Sequence, residues 1–261
     1  MYRLISIRFS HYNEKARWGL ERHGLAYKEH GFMPVLHMPA VALATRGRSE
    51  NRADKVSSPL STPVLICPDG RRICDSSEIL RYLNDRHGDT LYDAPRTEEL
   101  EQRFHDELGP HTRRVAYYYV LDDREAMTAL ADGNVGVAQR VLFRIVYPLG
   151  KSWMQSRMRI DEAGLLKSKE RIARCLDDMD ELLRDGRPYL LGDHLGAADI
   201  SLACMLVPAL IISPAEGFGA YLPQLEEGPK EFQDYARELR ERPSGKHALR
   251  MFAEERHSTP L

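Results

Sequence analysis

The groups in this 261-residue chain best placed to do chemistry are hydroxyls and carboxylates at the edges of its regular segments. Ser10 stands in Phe9-Ser10-His11-Tyr12-Asn13-Glu14-Lys15-Ala16-Arg17-Trp18, just ahead of a stretch with helical periodicity. A serine there is a favoured helix cap, because its hydroxyl can accept from a free backbone N–H of the first turn. The same hydroxyl can instead donate to a bound group, and Tyr12 and Asn13 are alternative donors nearby. Asp75 followed three residues later by Glu78 has the spacing of a capping box, with Ser76 and Ser77 between them. Cys67, Cys74, Cys175 and Cys204 show neither a Cys-x-x-Cys pair nor metal-ligand spacing with histidine. They read as buried thiols of a reducing compartment, so neither a metal site nor a disulfide framework is expected. His11, His37 and His194 have no identifiable partners in the sequence.

The elements that must position these groups follow from periodicity. Residues 2 to 9 alternate at period two and predict a strand; residues 13 to 23 place Ala16, Trp18 and Leu20 at helical spacing, with Gly24 as a stop. Residues 26 to 32 read as a second strand. From Pro34 to Leu60, Pro39, Gly47 and Pro59 together with a polar run predict a broken helix and an exposed loop. Pro63 to Cys67 and Arg72 to Cys74 flank Pro68-Asp69-Gly70-Arg71, a turn sequence that predicts a hairpin. A third helix is expected from Ser76 to Arg86, and Leu91 to Pro95 reads as a linker. Beyond it, segments 97 to 131, 135 to 159, 164 to 185, 197 to 212 and 230 to 255 favour helix, and none alternates convincingly. The expectation is an α/β domain over residues 1 to 90 followed by an all-α domain over residues 91 to 261.

Composition narrows the function classes. With 43% hydrophobic and 29% charged residues the chain is ordinary for a soluble globular protein, and no run approaches the roughly 18 apolar residues a membrane span needs. A formal net charge of -2 offers no basic field for phosphate backbones, so nucleic acid is not an expected partner. Arg3 and Arg8 interrupt the apolar pattern of the N-terminus where a signal peptide needs an unbroken one, and the expected location is cytoplasmic.

Three motifs at the right places in this architecture together resemble the glutathione transferase superfamily. The Phe9 to Trp18 segment is similar to the corner used by serine and cysteine members, with Ser10 where zeta-like classes place a catalytic serine and omega-like classes a cysteine. Ser61-Thr62-Pro63-Val64-Leu65, followed by Asp75-Ser76-Ser77-Glu78-Ile79, resembles the family's proline turn and acidic-Ser pair. Leu191-Gly192-Asp193-His194-Leu195-Gly196-Ala197-Ala198-Asp199-Ile200 resembles the buried helix start of the second domain. Gly196 stands where a Ser or Thr cap is usual, leaving Asp199 to reach back alone; Leu195 and Ile200 are placed for a hydrophobic staple.

The resemblance implies a thioredoxin-like α/β first domain that binds glutathione, an all-helical second domain that holds the other substrate, and a homodimer. It implies a cis bond before Pro63, with the Thr62 backbone pairing with the cysteinyl part of glutathione. Ser76, at a helix N-terminus, would take the γ-glutamyl carboxylate and Asp75 would assist at the ammonium group. Arg46, Arg48 and Lys55 are candidates for the glycyl carboxylate. Ser10 would hold the thiolate as a neutral donor, and Asn13 stands where some relatives carry a second thiol. The expected activity is conjugation of glutathione to a small electrophile. Glutathione-dependent isomerisation and a non-catalytic binding module are the alternatives. Of Tyr117, Tyr118 and Tyr119, helical geometry lets at most one or two face a single cleft. Trp153, Met154 and Met158 read as core.

Overall fold

A computed structural model describes residues 1–46 and 59–257. Its first part is a four-stranded sheet of order β2-β1-β3-β4, built from β1 (Tyr2–Ser6), β2 (Tyr27–Gly31), β3 (Val64–Ile66) and β4 (Arg72–Cys74). β1 runs parallel to β2 and antiparallel to β3, and β3 and β4 form the expected hairpin. β1 stops at Ser6 rather than Phe9. Its register pairs Ser6 with Gly31 and Ile5 with Val64, where both neighbours end, so the alternation of Ile7 and Phe9 has no strand left to pair with.

Helices α1 (His11–Arg22), α2 (His37–Thr45) and α3 (Ser76–His87) complete this unit. Gly24 has φ +59, the left-handed conformation its missing Cβ permits at a helix end. Beyond the apolar positions Ala16, Trp18 and Leu20 read from its spacing, α1 is buried on nearly all sides, because it is sandwiched between α3 and the long apolar helix of the second part. Ala16 and Leu20 face the sheet core, while Trp18 packs on Phe252, ring centroids 5.3 Å apart. The polar residues of α1 are therefore buried and must be paired. Lys15 Nζ lies 2.7 Å from Glu101, with neither side chain more than 2% exposed. Glu14 accepts from Arg17 and, across 242 positions of sequence, from Arg256 Nε at 2.6 Å. Burial opposes the charge on Glu14, yet the two guanidiniums hold its carboxyl below the usual range.

The second part is helical: α4 (Thr97–Arg103), α5 (Gly109–Val120), α6 (Arg124–Asn134), α7 (Val137–Met158), α8 (Glu162–Leu182), α9 (Ala197–Leu210), α10 (Lys230–Glu241) and α11 (Pro243–Arg250). The segment expected as one helix over 97 to 131 is three. A π turn at Phe104–Leu108 separates α4 from α5, and Asp123 starts α6 by accepting from the N–H groups of Glu125 and Ala126. The 230 to 255 segment breaks at Pro243, which opens α11. α9 is the centre of the main core and carries buried side chains all round. At its start Asp199 accepts from the Gly196 N–H at 3.0 Å, while glycine supplies no return bond from a side chain. Leu195 and Ile200 are both buried there. The connecting stretch is pinned to this helix, since Ala197 N–H donates to the Leu91 carbonyl at 2.8 Å. Among the described residues no helix is long and apolar enough to cross a membrane.

Candidate functional site

Two adjoining cavities lie where the first part meets α5. The smaller, about 190 Å³, is the more polar of the two and is lined by Thr62, Pro63, Asp75, Ser76, His105 and Asp106. The larger, about 290 Å³, is predominantly apolar, with Phe9, Trp153, Met154, Met158 and Phe232 among its walls and Ser10 on its border. Tyr12, Ser61, Thr62 and Arg113 line both.

The polar cavity is shaped by two backbone features. The Thr62–Pro63 bond is cis, and Asp75 has φ +78 with ψ 138, a sparsely populated conformation for a non-glycine residue. Asp75 starts α3, but the reciprocal pair expected with Glu78 is replaced by a bond from Ser77 N–H to Asp75 Oδ1 at 2.8 Å. The other carboxylate oxygen lies 3.2 Å from His105 Nε2. Burial would raise the Asp75 carboxyl, but His105 and Lys15 hold it below its ordinary value. The Ser77 hydroxyl accepts from Lys15 Nζ at 2.7 Å. Ser76 differs from both neighbours: its side chain is fully buried, it lines the cavity, and its Oγ has no partner among the described residues. A buried hydroxyl without a partner costs about 1–3 kcal/mol. Placed at the N-terminus of α3, it sits where free N–H groups and the helix dipole favour an anion.

At the corner, the backbone of Ser10 is extended, φ −80 and ψ 130, and its carbonyl accepts the first helical bonds from Asn13 and Glu14. Its hydroxyl makes no capping hydrogen bond. The two alternative donors are committed elsewhere. Tyr12 Oη donates to the His105 carbonyl at 2.9 Å, and burial pushes its phenol well above the ordinary range, so it keeps its proton. Asn13 is fully buried, lines neither cavity, and donates to Thr62 Oγ1 at 3.2 Å, tying α1 to the proline turn.

Sequence reasoning singled out Ser10, Thr62, Pro63, Asp75 and Ser76, and the fold brings all five to the border of these two cavities. Arg46 caps the end of α2, exposed and away from both; Arg48 and Lys55 lie outside the described residues. Of the three tyrosines only Tyr117 reaches the apolar cavity, while Tyr119 stacks on Phe232 at 4.9 Å. Trp153 departs from the core expectation, being 52% exposed at the cavity edge. His105 and Arg113 were not singled out from sequence, and His11 was left without a role, because each is a lone residue that only the packing of distant elements brings to the cavities. His11 is buried beside Ser10 with Nε2 unpartnered; burial first, then the charge of Arg113, holds its pKa well below the ordinary value, leaving the ring neutral.

Comparison with known proteins agrees with this arrangement. A family model described as the glutathione S-transferase N-terminal domain matches residues 4–91, and one described as the glutathione S-transferase C-terminal domain matches residues 157–238. No curated protein matches the sequence. Among solved structures, a glutathione transferase of Phanerochaete chrysosporium is similar at TM-score 0.62 and 16% identity, covering 100% of this chain and 98% of its own. A glutathione S-transferase of Ceriporiopsis subvermispora, solved in complex with glutathione, aligns at TM-score 0.60 and 19% identity over 99% of this chain and 98% of that one. A beta-etherase of Sphingobium is similar at 0.56 and 15% identity, over 95% and 98%. These identities establish a shared fold, and the two domain matches, which together take in about two thirds of the sequence, establish the family: the chain belongs to the glutathione S-transferase superfamily and is a glutathione S-transferase-like enzyme.

Proposed function

We propose that the enzyme conjugates glutathione, through its thiolate, to small electrophiles held in the apolar cavity. The observation that carries this reading is the Ser10 hydroxyl, which makes no capping bond to α1, has no partner among the described residues and stands at the border of the apolar cavity, next to the more polar one. The polar cavity suits the peptide end of glutathione. Ser76 offers its unpartnered hydroxyl and the α3 N-terminus to the γ-glutamyl carboxylate, Asp75 offers a carboxylate to the ammonium group, and the Thr62 backbone beside the cis-proline offers strand-like pairing. Arg48 or Lys55 would complete the site at the glycyl carboxylate.

Bound there, glutathione supplies the nucleophilic sulfur, and the protein's task is to hold that sulfur ionised. A free thiol of pKa about 8.5 is only a few per cent ionised at neutral pH. Lowering it by about two units takes roughly 2.7 kcal/mol of preferential stabilisation. Ser10 contributes a charge-assisted hydrogen bond, about 1.5–3 kcal/mol, and the α1 N-terminus adds about 0.3–1 kcal/mol. Serine cannot form a mixed disulfide, which favours transfer over thiol–disulfide reduction. The same reading places the protein in the cytoplasm as a homodimer.

The pH–rate profile of Ser10→Ala tests it. Loss of the donor should move the alkaline rise of kcat/KM for an activated chloronitrobenzene upward by about one to two pH units. A profile that stays in place would remove Ser10 from the thiolate and turn attention to Tyr12 and Asn13, whereas absence of any turnover by the unaltered enzyme would favour a non-catalytic binding module.

A further inference from the structure

We propose that Arg113 recognises an anionic group on the second substrate, so that the electrophile is an apolar, ring-sized molecule carrying a carboxylate. This rests on the transferase reading and adds to it the chemistry of the unassigned substrate.

Arg113 lies on α5 and lines both cavities. Its Nε is buried without a hydrogen-bond partner, and Arg113 enters no ion pair among the described residues. The adjacent Arg114, by contrast, spends its guanidinium on the Met158 carbonyl and the Ser168 hydroxyl. The nearest aromatic face, Tyr12, is 6.0 Å from the Arg113 guanidinium carbon, at the outer limit of a cation–π contact. A guanidinium donor that is removed from water and unpaired is costly, and a planar carboxylate is the group its fork geometry fits.

The surroundings favour an anion on the electrophile side. Among the described residues no Asp or Glu lines the apolar cavity, whereas Arg113 and the exposed Arg157 both do. The positive field reaches inward, since the Arg113 charge adds to burial in keeping His11 neutral and opposes the upward push of burial on Tyr117. On the polar side the arginine shares its cavity with Asp75 and Asp106, which would repel a second carboxylate. The volume, about 290 Å³, is at the small end of ligand sites and accommodates one substituted ring.

The test compares two chloronitrobenzenes that differ only in a ring carboxylate or the isosteric carboxamide, with the full-length enzyme at saturating glutathione. The expected result is a kcat/KM at least about tenfold higher for the acid, a ratio that collapses toward one in Arg113→Met and is partly restored in Arg113→Lys. A ratio near one in the unaltered enzyme, or one that survives Arg113→Met, overturns the proposal. So does an equal loss on both compounds with weakened glutathione binding, which would assign Arg113 to glutathione instead. If neither compound turns over, the transferase reading has failed, and calorimetric binding of nitrobenzoate against nitrobenzamide still decides the question. Tighter binding of the acid that is lost in Arg113→Met supports the anion site, and equal binding refutes it.

Discussion

Replacing Ser76 by alanine should weaken glutathione binding while leaving the fold as stable as before or slightly more so. The opposite signs come from the structure. The Ser76 side chain is fully buried and its Oγ has no partner among the described residues, so the free enzyme carries the desolvation cost of a hydroxyl with no hydrogen bond from them in return. Removing such a group is neutral to stabilising, by up to about 1 kcal/mol after allowance for the small void, which in a chain of this size raises Tm by roughly 2–4 °C. With glutathione bound, the same hydroxyl would donate to a charged carboxylate, a bond of about 1.5–3 kcal/mol, so Kd should rise roughly ten- to a hundredfold. Isothermal calorimetry with glutathione and a thermal melt of the free protein give the two readouts. Ser77→Ala is the contrast, because Ser77 Oγ accepts from the buried Lys15 ammonium and its loss should cost stability. Unchanged glutathione affinity in Ser76→Ala would refute the placement of the γ-glutamyl carboxylate, and a marked fall in Tm would show that the hydroxyl has a structural partner after all.

Arg256→Met removes one of two cations from a fully buried carboxylate and should cost about 3–5 kcal/mol in urea unfolding, partly regained when Glu14→Gln is added; a loss below about 1 kcal/mol would deny the pair its role. His111 gives a pH signature, because burial and then the charges of Arg114, Arg171 and Lys167 push its pKa down to about 4. The unfolded chain takes up that proton first, near the ordinary value of about 6.5, so the stability His111 contributes at neutral pH is lost as pH falls from there toward 4. His111→Asn should therefore flatten the decline of the urea midpoint across that window, and an unaltered slope would contradict the assignment.

The parts of the site that were legible in the sequence are those written contiguously. The proline turn, the Asp75-Ser76 pair and the Ser10 corner each announce themselves within a few residues, because backbone conformation and helix starts are local properties. The succession of strands and helices in the first part and the start of α9 follow for the same reason. What sequence did not reveal depends on distance along the chain. That Glu14, Lys15 and Arg17 are buried follows only from α1 being clasped on both sides, and their partners sit as far away as Glu101 and Arg256. His105 and Arg113 carry no motif, and they matter because the π turn and α5 carry them to the cavities. The breaks at Asp123 and Pro243 were signalled by a cap residue and a proline, and uniform helix-forming composition around them masked both.

The proposed chemistry requires the protein to hold the sulfur of glutathione ionised with the Ser10 hydroxyl. Ultraviolet difference absorbance of the bound thiol, titrated from pH 5 to 9, reads that ionisation without requiring the second substrate. The bound thiol should titrate about two units below the free value of about 8.5, and Ser10→Ala should return most of that shift. A bound thiol that titrates like free glutathione, or a depressed titration that Ser10→Ala leaves in place, would contradict it.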